Sequence, residues 1–257
     1  MSYLEFHFFL ILPPILILWS FLPTSLASFG GYRARVSLPL IALIAFVYTT
    51  PWDNYLVASE VWWYSPNRVI ATIGAVPVEE YLFFLLQPFL TGLFCYQYLM
   101  RASPALSSKQ RGHGAAAWGG FVVFGMLSGL GAAALWASIT SATYLALILV
   151  WACPLLAGMW LYDGETLWAH RTALFFAVGL PTLYLWVADT IAISLDIWII
   201  SERYTLGIAP FGLPIEEATF FLVTNLLVVK GILLLLYGSH GSAAPPASST
   251  RLEQQGL

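Results

Sequence analysis

Two short runs of this 257-residue chain, Pro77-Val78-Glu79-Glu80 and Pro214-Ile215-Glu216-Glu217, place paired carboxyl groups just after a proline at the head of an apolar stretch. Carboxyl groups give and take protons. In a water-poor pocket among like charges a glutamic acid keeps its proton near neutrality, while an ionised neighbour accepts a proton or opposes positive charge. Glu79, Glu80, Glu216 and Glu217 are therefore the candidate catalytic residues. A plainer role exists for either pair alone, because proline at the first helical position and acids in the first turn suit a helix start and its dipole. Recurrence of a wider constellation exceeds what capping requires.

That constellation spans residues 51–92 and returns about 137 residues later, over 186–229. Pro77, Glu79, Glu80, Phe83 and Phe84 return as Pro214, Glu216, Glu217, Phe220 and Phe221; at an offset shorter by one, Asp53, Glu60 and Trp62 return as Asp189, Asp196 and Trp198. Arg68 has a mate in Arg203, and Pro14 has a faint echo in Pro154. On a helix, residues at i, i+4 and i+7 share a face, so Glu80 aligns with Phe84 and Gln87, Glu217 with Phe221 and Thr224, Glu79 with Phe83, and Glu216 with Phe220. Each acid is expected to have an aromatic ring one turn deeper. Glu80 and Glu217, one position deeper than their neighbours, are the better proton donors, but adjacent residues project about 100° apart and which pair faces a cavity stays open. Asp53, Asp189, Arg68 and Arg203 are the supporting residues.

Aromatic faces stabilise cations, and Trp62, Trp63, Trp198, Phe83, Phe84, Phe220 and Phe221 cluster around the motifs. Single tryptophans at this height also serve as interfacial anchors. Protonated acids beside aromatic walls suit protonation of an apolar alkene, carbocation rearrangement and proton loss. That reaction class is redox-neutral and needs no cofactor.

The elements that must hold these residues are membrane helices. The chain is 60% hydrophobic and 9% charged, against roughly 25% charged in soluble domains. Seven stretches near 4–22, 36–56, 76–100, 115–137, 142–162, 172–195 and 214–237 approach the about 20 apolar residues a span requires. The first carries Glu5 and lacks a basic leader, so it reads as a retained helix and not a cleaved signal. The expected fold is an all-α membrane protein of seven transmembrane helices: a three-helix repeat over 1–100, a loop and spacer helix over 101–140, a second repeat over 141–238, and a disordered cytoplasmic tail over 239–257. An odd spacer makes the repeats parallel, an arrangement whose sites lie at the repeat interface.

Charge sets the expected orientation. Arg68 and Arg203 lie on the N-terminal side, and the other eight of the ten basic residues (Arg33, Arg35, Arg101, Lys109, Arg111, Arg171, Lys230 and Arg251) on the opposite side. The N-terminus is thus predicted outside and the C-terminus in the cytoplasm, with ten of thirteen acids in the outer half. Cys95 and Cys153 fall inside helices, and His7, His113, His170 and His240 have no partner at ligand spacing, so no metal and no nucleic-acid partner is expected.

With these motifs the sequence resembles the membrane-type lycopene β-cyclases, which occur as two small subunits or, as here, one fused chain. Their hallmark is Pro-x-Glu-(Glu/Asp) in each half, matched by Pro77/Glu79/Glu80 and Pro214/Glu216/Glu217. The resemblance implies conversion of the open ψ-ends of lycopene into β-ionone rings, through γ-carotene to β-carotene, without a cofactor, in the bilayer and beside other carotenoid-pathway enzymes. Relatives that cyclise longer carotenoids or form ε-type ends share the pattern. Among other classes, Lys230 in the seventh stretch suggests a retinal photoreceptor using a Schiff base, but a lysine there is expected to snorkel to the cytoplasmic interface. A proton-coupled transporter also fits parallel repeats with buried acids, yet leaves the aromatic packing unexplained. The glycines around Gly129 and Gly131 imitate a dinucleotide fingerprint, but inside an apolar span they suit close helix packing.

Overall fold

A computed structural model describes residues 1–22, 31–102 and 114–238. Lys109, Arg111, His113, His240, Arg251, Glu253 and the tail from 239 to 257 lie outside the described residues. Among the described residues seven helices are long and apolar enough to cross a bilayer: α1 (Tyr3–Ser20), α2 (Gly31–Ala58), α3 (Val78–Ala102), α4 (Ala115–Trp136), α5 (Thr143–Ala169), α6 (Arg171–Ser194) and α7 (Ile215–Tyr237). All seven expected spans are present, and the chain is an integral membrane protein of the all-α class.

Local chemistry explains the helix ends. Ser2 and Glu5 form a reciprocal capping box at the start of α1, which then passes through a π turn at His7–Ile11. Within α5 the backbone breaks at Asp163 (φ −158°, ψ 68°), where the expected span ends. The Asp163 carboxylate accepts from Thr166 N at 3.1 Å and restarts the helix. Pro39, Pro51, Pro88, Pro154 and Pro181 lie inside helices, a position that membrane helices tolerate because neighbours re-satisfy the freed backbone groups.

At the centre α3 packs against α7; α2 and α6 each pack on both, α1 packs on α3, α5 packs on α7, and α4 attaches to the rest chiefly through α5. Gly131 lets α4 approach α5 so closely that an added Cβ would lie 2.8 Å from the Ala146 carbonyl. A buried polar knot ties the middle together: Gln87 Nε2 and Thr91 Oγ1 of α3 donate to Asn225 Oδ1 of α7 at 2.5 and 2.6 Å, and Asn225 Nδ2 donates to Thr182 of α6 at 2.9 Å.

The segments before α3 and α7 contain short strands. β1 (Trp62–Tyr64) pairs antiparallel with β4 (Trp198–Ile200), with Trp63 opposite Ile199, and β2 (Thr72–Ile73) pairs with β3 (Val76–Pro77). Residues in matching register share unusual geometry. Glu60 and Asp196 both have positive φ, 56° and 51°. Ser65 N donates to Ile197 O, as Ser201 N donates to Val61 O. The Tyr48 hydroxyl donates to Trp151 O and the Tyr184 hydroxyl to Leu10 O. This last pair sets Pro154 opposite Pro13, not Pro14, because side-chain contacts fix a register that a lone proline does not.

Lys230 departs from expectation. Its ammonium stays inside the bundle, 1% exposed, over the rings of Phe124 (4.2 Å) and Trp160 (5.1 Å). Roughly 10 Å of helix lies between it and Tyr237, and the aromatic faces of α4 and α5 substitute for water.

The polar knot yields a stability test. Asn225→Leu strands three partners and should lower unfolding free energy by about 1–3 kcal/mol in denaturant titrations of the micelle-embedded protein, whereas Leu222→Ala on the lipid face should change it by under about 0.5 kcal/mol.

Candidate active site

The two motifs solve the same local problem twice. Before α3 the chain folds back so that Val78 N donates to Ala71 O, and before α7 Ile215 N donates to Ile208 O, both at 3.0 Å. Pro77 lies in β3 and Pro214 caps α7. The first glutamate of each motif then pins the returning loop: Glu79 Oε1 accepts from Ile70 N, and Glu216 Oε1 accepts from Leu206 N, both at 2.8 Å. One residue onward, about 100° around the helix, Glu80 and Glu217 turn into the bundle.

There they meet. Glu80, Glu217, Asp53 and Asp189 all line one cavity of about 40 Å³, closed by Trp62, Trp198, Phe83, Phe220 and Phe221. A single chamber thus draws acids from both halves of the chain. Asp53 and Asp189 are 2% and 1% exposed, and one oxygen of each has no hydrogen-bond partner among the described residues.

Three phenols, absent from the expected site, supply the donors. The Tyr3 hydroxyl donates to Glu80 Oε2, and the Tyr144 hydroxyl donates to Glu217 Oε1 at 2.6 Å. Each tyrosine stands near the start of the first helix of its half, and each ring packs on the tryptophan of the other half: Tyr3 on Trp198 and Tyr144 on Trp62, both at 5.1 Å. The halves then diverge. Tyr64 gives Glu80 Oε2 a second donor at 3.0 Å and accepts from Trp62 Nε1 at 3.2 Å. At the register position of Tyr64 the second half carries Ile200, and Trp198 Nε1 donates to Asp189 Oδ1 at 2.9 Å. Burial, then the Glu80 and Asp53 carboxyls, raise the Tyr64 phenol well above its ordinary value, so it remains a donor at neutral pH.

Other expected residues lie elsewhere. Glu79 and Glu216 serve the loops, and Phe84 lines an apolar cavity beneath the acids. Trp63 is 42% exposed. Arg68 donates to Met1 O at 3.2 Å, and the Arg203 guanidinium lies over Tyr204. Neither arginine is among the residues lining the acid cavity. His7 lies beside the site, stacked on Tyr3 at 4.8 Å with Nδ1 3.0 Å from Tyr3 O.

Comparison with known proteins extends this geometry. The sequence model of the family described as lycopene cyclase matches residues 1–99 and 141–234, leaving the whole of α4 outside. A lycopene beta-cyclase of Halobacterium salinarum is 39% identical over 234 residues, covering 91% of this chain and 95% of that protein. A bifunctional lycopene cyclase/phytoene synthase of Gibberella fujikuroi is 37% identical over 228 residues, covering 80% of this chain and 37% of the relative. That of Blakeslea trispora is 33% identical over 249 residues, covering 89% of this chain and 38% of the relative. No solved structure matches. With both motif-bearing halves inside the match, and relatives similar over nearly the whole chain, this protein belongs to the lycopene cyclase family.

Proposed function

We propose that this chain is a lycopene β-cyclase, closing the ψ-ends of lycopene into β-ionone rings, through γ-carotene to β-carotene, with Glu80 and Glu217 as the proton-exchanging pair. The observation that carries this reading is the convergence of four carboxyl groups from both halves on one aromatic-walled chamber. A glutamic acid adds a proton to the terminal alkene, leaving a tertiary cation. The internal alkene attacks it, forming the carbon–carbon bond that closes the ring, and a carboxylate removes a neighbouring proton. One proton enters and one leaves, so no oxidant, reductant or cofactor is consumed. Trp62, Trp198, Phe83, Phe220 and Phe221 wall the chamber with aromatic rings whose faces stabilise a cation, and Asp53 and Asp189 return protons to the acids.

The unequal donors support a division of labour. Two phenols converge on one oxygen of Glu80, which suits a carboxylate that takes the last proton. Glu217 accepts a single phenol, which leaves its charge less stabilised and suits the group that carries the first proton. The repeat division at 1–100, 101–140 and 141–238 fits this shared chamber, and the distribution of basic residues supports an outer N-terminus and cytoplasmic C-terminus, with the acids in the outer half. Fungal relatives that join a cyclase to a phytoene synthase support action beside other carotenoid-pathway enzymes.

In lycopene-accumulating cells, Glu80→Gln and Glu217→Gln should each cut β-carotene formation by about 100-fold or more; full activity in both would refute the assignment. Infrared spectra of the embedded protein should lose a protonated-carboxyl band in Glu217→Gln but not in Glu80→Gln, and the opposite pattern would exchange their roles. Tyr144→Phe removes a hydrogen bond to the protonated Glu217 worth about 0.5–1.5 kcal/mol, so turnover should fall roughly 2- to 10-fold with the protein still folded by circular dichroism.

A further inference from the structure

Beneath the acid chamber a second cavity of about 100 Å³ lies between α2, α3, α5 and α7. Phe83 and Phe220 belong to the walls of both, so their rings form the partition. The lower cavity offers little but carbon to an occupant. Three of its polar side chains are engaged elsewhere: Tyr48 donates to Trp151 O at 2.9 Å, Thr224 to Phe220 O at 2.8 Å, and Gln87 to Asn225; Thr49 and Trp151 are the other lining residues with a polar atom, and Trp151 Nε1 has no partner among the described residues. Water-scale polar ligands would find no free partner on these three groups.

Its mouth faces lipid. Ile44 and Leu155, on α2 and α5, line the cavity and are 51% and 40% exposed. Ile44 lies nine residues below Asp53 and Leu155 eleven residues below Tyr144, placing the opening about 13–16 Å along the helices from the carboxyl groups, within the depth of the hydrocarbon core. At the matching seam between α6 and α1, Tyr184 donates to Leu10 O as Tyr48 donates to Trp151 O. There Ile11, Ile15, Ala177 and Leu185 are buried in the continuous core.

We propose that the α2–α5 seam is the lateral portal through which a long linear polyene dissolved in the bilayer threads one end past Phe83 and Phe220 to the acids. The inference rests on the cyclase reading above and names its route and binding surface. The acid chamber, at about 40 Å³, is smaller than the apolar cavity of about 100 Å³ beneath it. The terminal segment that becomes the ring enters by displacing the partition rings, with the adjoining stretch of the chain in the lower cavity and the remainder in the bilayer. One chamber behind one portal closes one ring per visit, and the half-cyclised product leaves and returns by its other end.

Chemical plugging after folding tests the route. Leu155→Cys and, as control on the α6 lipid face, Leu183→Cys are purified as full chains and treated with N-phenylmaleimide; Cys95 and Cys153 are both buried. Initial rates are then measured against lycopene mole fraction in liposomes. Labelling Leu155→Cys should lower kcat/KM about tenfold or more relative to its unlabelled form and raise the ratio of γ- to β-carotene, while labelled Leu183→Cys should keep its rate. Quenching of tryptophan fluorescence by lycopene in the Glu80→Gln/Glu217→Gln background should weaken on the same labelling, giving a binding readout independent of turnover. Equal rates and equal quenching before and after labelling at Leu155 would overturn the portal, as would loss at Leu183 alone. Unimpaired turnover by Glu80→Gln/Glu217→Gln would instead refute the acid assignment and leave the labelling comparison intact.

Discussion

Carboxyl groups inside a lipid-embedded helix bundle cannot draw hydrogen bonds from bulk water, and an unpaired one costs several kcal/mol. Much of the architecture around the acid chamber answers that constraint. Tyr3, Tyr64 and Tyr144 bring phenol donors to Glu80 and Glu217, Trp198 brings an indole N–H to Asp189, and the backbone of each returning loop brings an N–H to Glu79 or Glu216. These donors come from helix starts and loops on the motif side of the membrane. The β1–β4 pairing joins the two loops so that each half's tryptophan reaches the other half's tyrosine. Satisfying the acids and closing the chamber are therefore one task.

The crossing of α3 and α7 fixes where that task is done. Both helices begin at a motif proline, and the Gln87–Thr91–Asn225–Thr182 knot holds them together about two turns below. Lipid tails supply no hydrophobic drive to bring helices together, so interhelical hydrogen bonds and close packing set their positions. A slip of either helix against the other would separate Glu80 from Glu217 and break the knot at once.

Much of this was legible in the sequence because it depends on period and composition. The seven spans announce themselves by length and apolarity, and the end of the fifth near residue 162 reflects Asp163, where the helix breaks. The acids and tryptophans of the chamber were legible through their recurrence. The phenols were not. Tyr3 and Tyr144 stand at helix starts, where a tyrosine is also expected simply to sit at the membrane interface. The choice between Glu79 and Glu80 turns on 100° of helix rotation, and Ile70 N settles it by claiming the first carboxylate. The buried position of Lys230 is not legible in the sequence because its aromatic partners, Phe124 and Trp160, lie on helices distant in sequence.

The two motif-bearing segments are alike in sequence, but the environments of their acids are unequal. The proposed acid–base chemistry uses one glutamate that carries a proton and one that lacks it, while the two halves of the chain bring the same residue type to one chamber. Symmetry must be broken at the chamber for the chemistry to have a direction. Tyr64, where the second half carries Ile200, breaks it above the acids, and below them an apolar cavity lies between α2 and α5 while Ile11 and Ile15 of α1 and Ala177 and Leu185 of α6 are buried in the core. Both differences fall on side chains beside the motifs and leave the carboxyl groups themselves duplicated. The copies can thus specialise without either losing its half of the shared wall.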